Sequence, residues 1–186
     1  IVTGTGTGTA SVSYTVAGCS VTKPVTVIAA PPGITPGSST VCAGATTTLT
    51  NATSGGTWTS SNTSVATVVA GTGVVSGVAA GIVTITYTTG TCFVTATVTV
   101  NPLPSAITPS TGVGLCVGAT AVLADATPGG TWSSGSPAIA TVGSSGTVTG
   151  ISSGTATISY TVSGCAATKT VTVLTTPTAI SPSSPV

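Results

Sequence analysis

Few side chains in this 186-residue sequence can do chemistry. Five cysteines (Cys19, Cys42, Cys92, Cys116 and Cys165), two lysines (Lys23 and Lys169) and one aspartate (Asp125) make up the reactive set, with no histidine. General acid–base catalysis needs a proton donor or acceptor of tuned pKa within reach of the reacting group. An activated nucleophile needs a base beside it. One carboxylate and two amines scattered along the chain supply neither, so no catalytic residues and no cofactor are expected. Metal binding is equally disfavoured, because no C-x-x-C pair or histidine cluster exists. Disulfide formation remains, and it implies an oxidising, extracytoplasmic compartment.

The other candidates have plain structural readings. Lys23 and Lys169 fall at the same repeat position, where repeat two has Ala96, and Asp125 corresponds to Asn51. A Lys–Asp or Lys–Asn amide cross-link would need a second carboxylic acid to assist, and none is available. A snorkelling lysine at a strand end and a turn-forming Asn or Asp account for these residues. Asn51-Ala52-Thr53 and Asn62-Thr63-Ser64 have the form of glycosylation sequons, a triplet that arises readily by chance in a threonine-rich chain. The run Gly4-Thr5-Gly6-Thr7-Gly8 lacks the following helix and lysine of a phosphate cradle. Trp58 and Trp132 could stack on sugars, but their recurrence fits core packing better.

The elements that carry these residues follow from composition and spacing. Charged residues make up 2% of the chain against 40% hydrophobic, at a net charge of +1, whereas ordinary globular domains carry about 25% charged residues. Disorder requires low hydrophobicity with high net charge, and no run reaches the roughly 20 apolar residues of a membrane-spanning helix. So few basic residues also argue against a nucleic-acid partner. Val, Ile, Thr and Tyr dominate and suit pleated, half-buried surfaces, which makes the expected class all-β. Soluble sheet proteins protect strand edges with charge; a surface hydrated by Ser and Thr hydroxyls instead suits a protein that sits in an assembly.

Self-comparison shows a repeat of 73 residues. Ile34-Thr35-Pro36 recurs as Ile107-Thr108-Pro109 and as Ile180-Ser181-Pro182, and Tyr14, Tyr87 and Tyr160 keep the same spacing, as do Cys19, Cys92 and Cys165. The divisions are 1–33, the closing strands of one repeat; 34–106 and 107–179, two full repeats; and 180–186, the start of another. In repeat two, strands are expected near 34–41, 45–51, 56–60, 65–69, 74–78, 82–88 and 93–100. Val83, Ile85 and Tyr87 should face one side and Ile82, Thr84 and Thr86 the other. Leu49, Trp58 and Tyr87, with Leu123, Trp132 and Tyr160, should supply the core. Short strands at this spacing imply a sandwich. A module of ~73 residues is marginal alone, so cross-links or neighbours should help it, and stiff proline-containing connectors favour a rod.

The run Gly56-Thr57-Trp58-Thr59-Ser60-Ser61-Asn62-Thr63-Ser64-Val65-Ala66-Thr67-Val68 is followed by Gly73-Val74-Val75-Ser76-Gly77 and Gly81-Ile82-Val83-Thr84-Ile85-Thr86-Tyr87. Together they resemble bacterial immunoglobulin-like domains of group 2, and Trp132, Val148, Gly150, Gly154 and Ile158 repeat the signature. They are similar in particular to the cysteine-bearing repeats of long surface proteins of Bacteroidetes-type bacteria. The resemblance implies tandem immunoglobulin-like β-sandwiches in cell-surface adhesins, stalks and spacers.

In immunoglobulin topology the first-strand cysteines (Cys42, Cys116) and those of the last hairpin (Cys92, Cys165) lie at opposite ends of a sandwich, too far apart for a disulfide. In a head-to-tail array the bottom of one domain meets the top of the next. The preferred pairing is therefore Cys42 with Cys165 between repeats, with Cys19, Cys92 and Cys116 bonded to neighbouring repeats or subunits. Intra-repeat pairs (Cys42 with Cys92, Cys116 with Cys165) and free or interchain thiols stay open. The expected function is a structural segment of an extracellular surface fibre, partnered by copies of itself or neighbouring repeats. The alternatives are the spacer of an adhesin and a non-catalytic region of a secreted enzyme. Residues 1–33 form only a hairpin, marginal by itself, which either follows further sequence or completes a fold in an adjacent subunit.

Overall fold

The computed structural model describes residues 1–176. The expected start of a further repeat, 180–186, lies outside them. The described residues contain no helix. The chain divides into two units, Ile1–Val100 and Asn101–Val186.

The first unit opens with a hairpin of β1 (Gly8–Val16) and β2 (Cys19–Val27). Seven strands follow: β3 (Ser38–Cys42), β4 (Thr46–Thr48), β5 (Thr57–Ser60), β6 (Ala66–Val68), β7 (Val74–Gly77), β8 (Gly81–Thr89) and β9 (Cys92–Asn101). They form a four-stranded sheet in the order β3-β9-β8-β5 and a three-stranded sheet in the order β4-β7-β6. The second unit repeats this plan with β10 (Val113–Cys116), β11 (Thr120–Val122), β12 (Thr131–Ser134), β13 (Ala140–Val142), β14 (Thr147–Gly150), β15 (Gly154–Val162) and β16 (Cys165–Leu174). Its sheets run β10-β16-β15-β12 and β11-β14-β13. The strands begin and end within a few residues of the spans read from the sequence. The first strand is the exception: it starts at Ser38, and ahead of it Thr35 makes an isolated bridge to Thr50.

Alternation drives the layering. Along β8, Val83, Ile85 and Tyr87 are buried while Thr84 is exposed and Ile82 is 71% exposed. On β9, Ala96, Val98 and Val100 complete the same inner face. Leu49, Trp58 and Val75 close this core from the other strands and their connections. The second core uses Leu123, Val148, Ala156, Ile158, Tyr160 and Val171 in the matching places, with Trp132 half-buried against them. Full burial of each such aliphatic side chain is worth roughly 1.5–3 kcal/mol. The turn joining β15 to β16 is Ser163-Gly164, with φ of 50° and 81°. Positive φ at both positions is the type I′ geometry, whose twist matches that of the flanking strands.

The β1–β2 hairpin has the same register as β8–β9 and β15–β16, pairing Tyr14 with Val21 as Tyr87 pairs with Val94. Its inner-type face is nevertheless open: Val12 is 41% exposed, Tyr14 71% and Val21 70%. Their counterparts Ile85 and Tyr87 are 0% and 4% exposed. The hairpin thus has the sequence of a core-facing sheet with no second sheet over it among the described residues.

Candidate functional site

The cysteines occupy two positions in the fold. Cys42 and Cys116 end β3 and β10, each in a tight turn in which the carbonyl accepts from the amide three residues on, Ala45 or Ala119, at 2.9 Å. Cys19, Cys92 and Cys165 open the second strand of their hairpins, opposite Val16, Thr89 and Val162. Cys42 and Cys165 are each disulfide-bonded, and Cys165 is buried. Cys19 and Cys116 are exposed free thiols, and Cys92 is a half-buried one.

Strand register fixes how far apart the two positions lie within one sandwich. β10 pairs in parallel with β16, placing Cys116 beside Leu174, at the far end of the strand that Cys165 begins. Nine residues of strand at ~3.3 Å each separate the two ends by roughly 30 Å. A disulfide spans about 4.4–6.8 Å between Cα atoms, so the sandwich holds these two cysteines far out of bonding range. In the first unit a Cβ on Gly77 would meet the Cys42 carbonyl and Val100 together. Cys42 therefore sits near the end of β9, which Cys92 begins. The intra-repeat alternative lacks the geometry in both sandwiches.

The lysines and the Asn/Asp pair hold strands and turns. Lys169 lies opposite Ile158 on an inner-facing register position, and its Nζ donates to the Ser110 carbonyl at 2.8 Å. Its ammonium thus escapes to the sheet edge. Lys23 holds the matching place on β2, opposite Val12. Asn51 Oδ1 accepts from the Thr53 amide at 3.0 Å, and its Nδ2 donates to the Pro32 carbonyl at 2.5 Å. Asp125 reproduces only half of this: Oδ1 accepts from Thr127 N at 2.7 Å, while Oδ2 is buried without a hydrogen-bond partner. Of the two sequon asparagines, Asn51 is thus engaged through both side-chain atoms, and Asn62 is exposed, its Oδ1 accepting from Ser64 N and Oγ at 3.0 and 2.6 Å.

Each tryptophan packs against a tyrosine. Ring centroids are 4.6 Å apart for Trp58–Tyr87 and 4.8 Å for Trp132–Tyr160, both tilted. The tyrosine hydroxyls are fully engaged. Tyr87 Oη accepts from Gly56 N at 2.9 Å and donates to the Thr53 carbonyl at 2.5 Å. Tyr160 Oη accepts from Gly130 N at 2.9 Å and donates to the Thr127 carbonyl at 2.7 Å. Glycine is required at 56 and 130, because a Cβ at either would overlap the tyrosine ring. A cleft of about 250 Å³ lies beside Trp58, lined by Asn51, Thr53, Ser54, Gly55 and Thr72 among others. With Trp58 and Tyr87 buried, it offers hydroxyls and backbone rather than an open aromatic platform. Among the described residues no group of three or more His, Cys, Asp or Glu could hold a metal ion. No helix there is long and apolar enough to cross a membrane.

Residues 20–100 match the family model of the bacterial Ig-like domain, group 2. That stretch carries a group 2 bacterial Ig-like domain. Among solved structures it is similar to domains 1-6 of the surface layer protein SbsC, at 26% identity over 66% of this chain and 20% of that one, TM-score 0.33. It is also similar to a C-terminal 282-residue fragment of intimin in complex with the translocated intimin receptor's intimin-binding domain, at 23% identity over 63% and 50%, TM-score 0.39. A third is BT4661, a SusE-like surface-located polysaccharide-binding protein of Bacteroides thetaiotaomicron, at 12% identity over 74% and 33%, TM-score 0.38. The chain spans only 20% of the SbsC fragment's length. No curated protein sequence matches it.

In these Ig-like repeats, two features escape a reading of the sequence. One is the pair of backbone bonds at each tyrosine hydroxyl, for which the only signal was the recurrence of Gly-Gly ahead of each tryptophan. The other is the unpartnered oxygen of Asp125, signalled only by an Asp standing where the previous repeat has Asn.

Proposed function

We propose that this chain is a structural segment of an extracellular bacterial surface fibre, in which Ig-like sandwiches are stapled end to end by a Cys42–Cys165 disulfide and the partners are further copies or repeats. The observation that carries this reading is the split among the cysteines. One first-strand and one hairpin cysteine, in different repeats, are disulfide-bonded, while Cys92 and Cys116, their only intra-repeat partners, are thiols. The near absence of charge supports it further, since chains with little net charge associate readily. The reactive set of the chain, without histidine and with one carboxylate, supports a non-catalytic role, and a bonded cysteine pair supports an extracytoplasmic location. Electron microscopy of the native extracellular material, with and without reductant, tests the proposal. Uniform filaments whose stiffness is lost on reduction are expected. Flexible strings ending in a globular head would overturn it in favour of an adhesin or enzyme stalk.

A further inference from the structure

The two sequon triplets meet different surroundings in the fold. Asn51 is half-buried, and its Nδ2 is tied to the Pro32 carbonyl at 2.5 Å. Asn62, Thr63 and Ser64 are all exposed, in the connection from β5 to β6. Asn62 Oδ1 accepts from both the Ser64 amide, at 3.0 Å, and the Ser64 hydroxyl, at 2.6 Å. A backbone amide only donates, so the oxygen is the atom that faces Ser64 and Nδ2 is turned away from it. Among the described residues Nδ2 of Asn62 has no hydrogen-bond partner.

The turn itself does not require this arrangement. In the second sandwich Ser136 stands at the place of Asn62. Its carbonyl accepts from Ile139 N and Ala140 N at 2.9 and 3.1 Å, as the Asn62 carbonyl accepts from Val65 N and Ala66 N at 3.2 and 3.1 Å. Its amide donates to Ser134 Oγ at 3.2 Å, as that of Asn62 donates to Ser60 Oγ at 3.3 Å. Pro137 and Ala138 replace Thr63 and Ser64. The same turn thus forms without the asparagine and without the hydroxyl, and the second sandwich has neither half of the motif.

An amide nitrogen is a weak nucleophile, because its lone pair is shared with the carbonyl. Two donors on Oδ1 draw charge onto the oxygen and make the Nδ2 protons easier to remove. The hydroxyl at the third position of an Asn-x-Ser/Thr triplet supplies one of those donors here. We infer that Asn62 is a glycosylation site, taking a sugar from a diphosphate-activated donor, and that Asn51 is not. Nδ2 attacks the anomeric carbon, and a C–N bond forms as the C–O bond to the diphosphate breaks. The diphosphate leaves with the electron pair, and the Nδ2 proton passes to a base on the transferase. An exposed loop presents the acceptor with the sandwich intact, whereas Asn51 would first have to give up its bond to Pro32. Modification at Asn62 is independent of how the cysteines pair.

The test is mass spectrometry of the native chain, purified from the cells that make it and digested with elastase, with electron-transfer fragmentation to place the sugar. Peptides containing Asn62 should carry sugar on the Asn62 side chain, and those containing Asn51 should be unmodified. A single hexose marks a nucleotide-diphosphate donor, and a preassembled oligosaccharide marks a lipid-diphosphate donor. In the same cells Asn62→Gln and Ser64→Ala should each lose the sugar, and Ser64→Thr should keep it. Both losses should come with unchanged tryptophan fluorescence, because Ser136 and Ala138 support the same turn in the second sandwich. An unmodified Asn62 in the native chain, sugar on Asn51, or sugar on the Thr63 or Ser64 hydroxyl overturns the assignment. Sugar that persists on Asn62 in Ser64→Ala overturns the role given to the hydroxyl.

Discussion

Replacing Asp125 with asparagine should stabilise the second sandwich. In the first sandwich Asn51 uses both side-chain atoms, accepting from Thr53 and donating to the Pro32 carbonyl. At the matching position Asp125 keeps the first bond, to Thr127 at 2.7 Å, and leaves Oδ2 buried without a donor. The repeat spacing of 73 puts Ser105 where Pro32 stands. A carboxylate oxygen cannot donate to the carbonyl there, but an asparagine amide can. A buried polar atom left unpaired costs about 1–3 kcal/mol, and a normal hydrogen bond contributes about 0.5–1.5 kcal/mol. Asp125 is half-buried, so the gain expected for Asp125→Asn is about 1–2 kcal/mol. For a module of this size each kcal/mol moves Tm by about 4–8 °C. The reciprocal Asn51→Asp should destabilise the first sandwich by a similar amount, because it deletes the Pro32 bond. Thermal unfolding of both variants, followed by tryptophan fluorescence, checks the pair. An unchanged or lowered Tm for Asp125→Asn would refute the argument that Oδ2 lacks a partner.

Other perturbations test the remaining parts of the account. Tyr160→Phe keeps the ring on Trp132 but strands the Gly130 amide and Thr127 carbonyl, and denaturant unfolding should show a loss of about 1–3 kcal/mol. Gly130→Ala should cost at least as much, since its Cβ overlaps the Tyr160 ring; circular dichroism melts would report it, and a neutral result would mean that the ring has room to move. Ile158→Ala, at a site 0% exposed, should cost about 2–5 kcal/mol. Val12→Ala on the open hairpin should stay within about 0.5 kcal/mol.

Much of the fold was legible because the chain states it three times. The period of Tyr14, Tyr87 and Tyr160, and the two-residue alternation along 81–89, determine which face is buried before any contact is known. Cysteine geometry was legible for a related reason: the end-to-end separation of the two cysteine types follows from strand length once the sandwich topology is assumed. The parallel pairing of β10 with β16 was not, because a four-residue strand such as Val113–Cys116 carries no mark of its partner's direction. Nor was the engagement of the tyrosine hydroxyl, which depends on loop carbonyls more than thirty residues away in sequence. The open face of β1–β2 shows the converse. Its residues have the alternation of a core strand, yet periodicity records only the capacity to be buried, and burial itself needs a second sheet.

The most direct test of the central claim is a peptide map of the native chain, alkylated and digested without reduction. The account requires a linked peptide containing Cys42 and Cys165, released by reductant. A linked Cys42–Cys92 or Cys116–Cys165 peptide would contradict it, because each sandwich would then have to bring its two ends together.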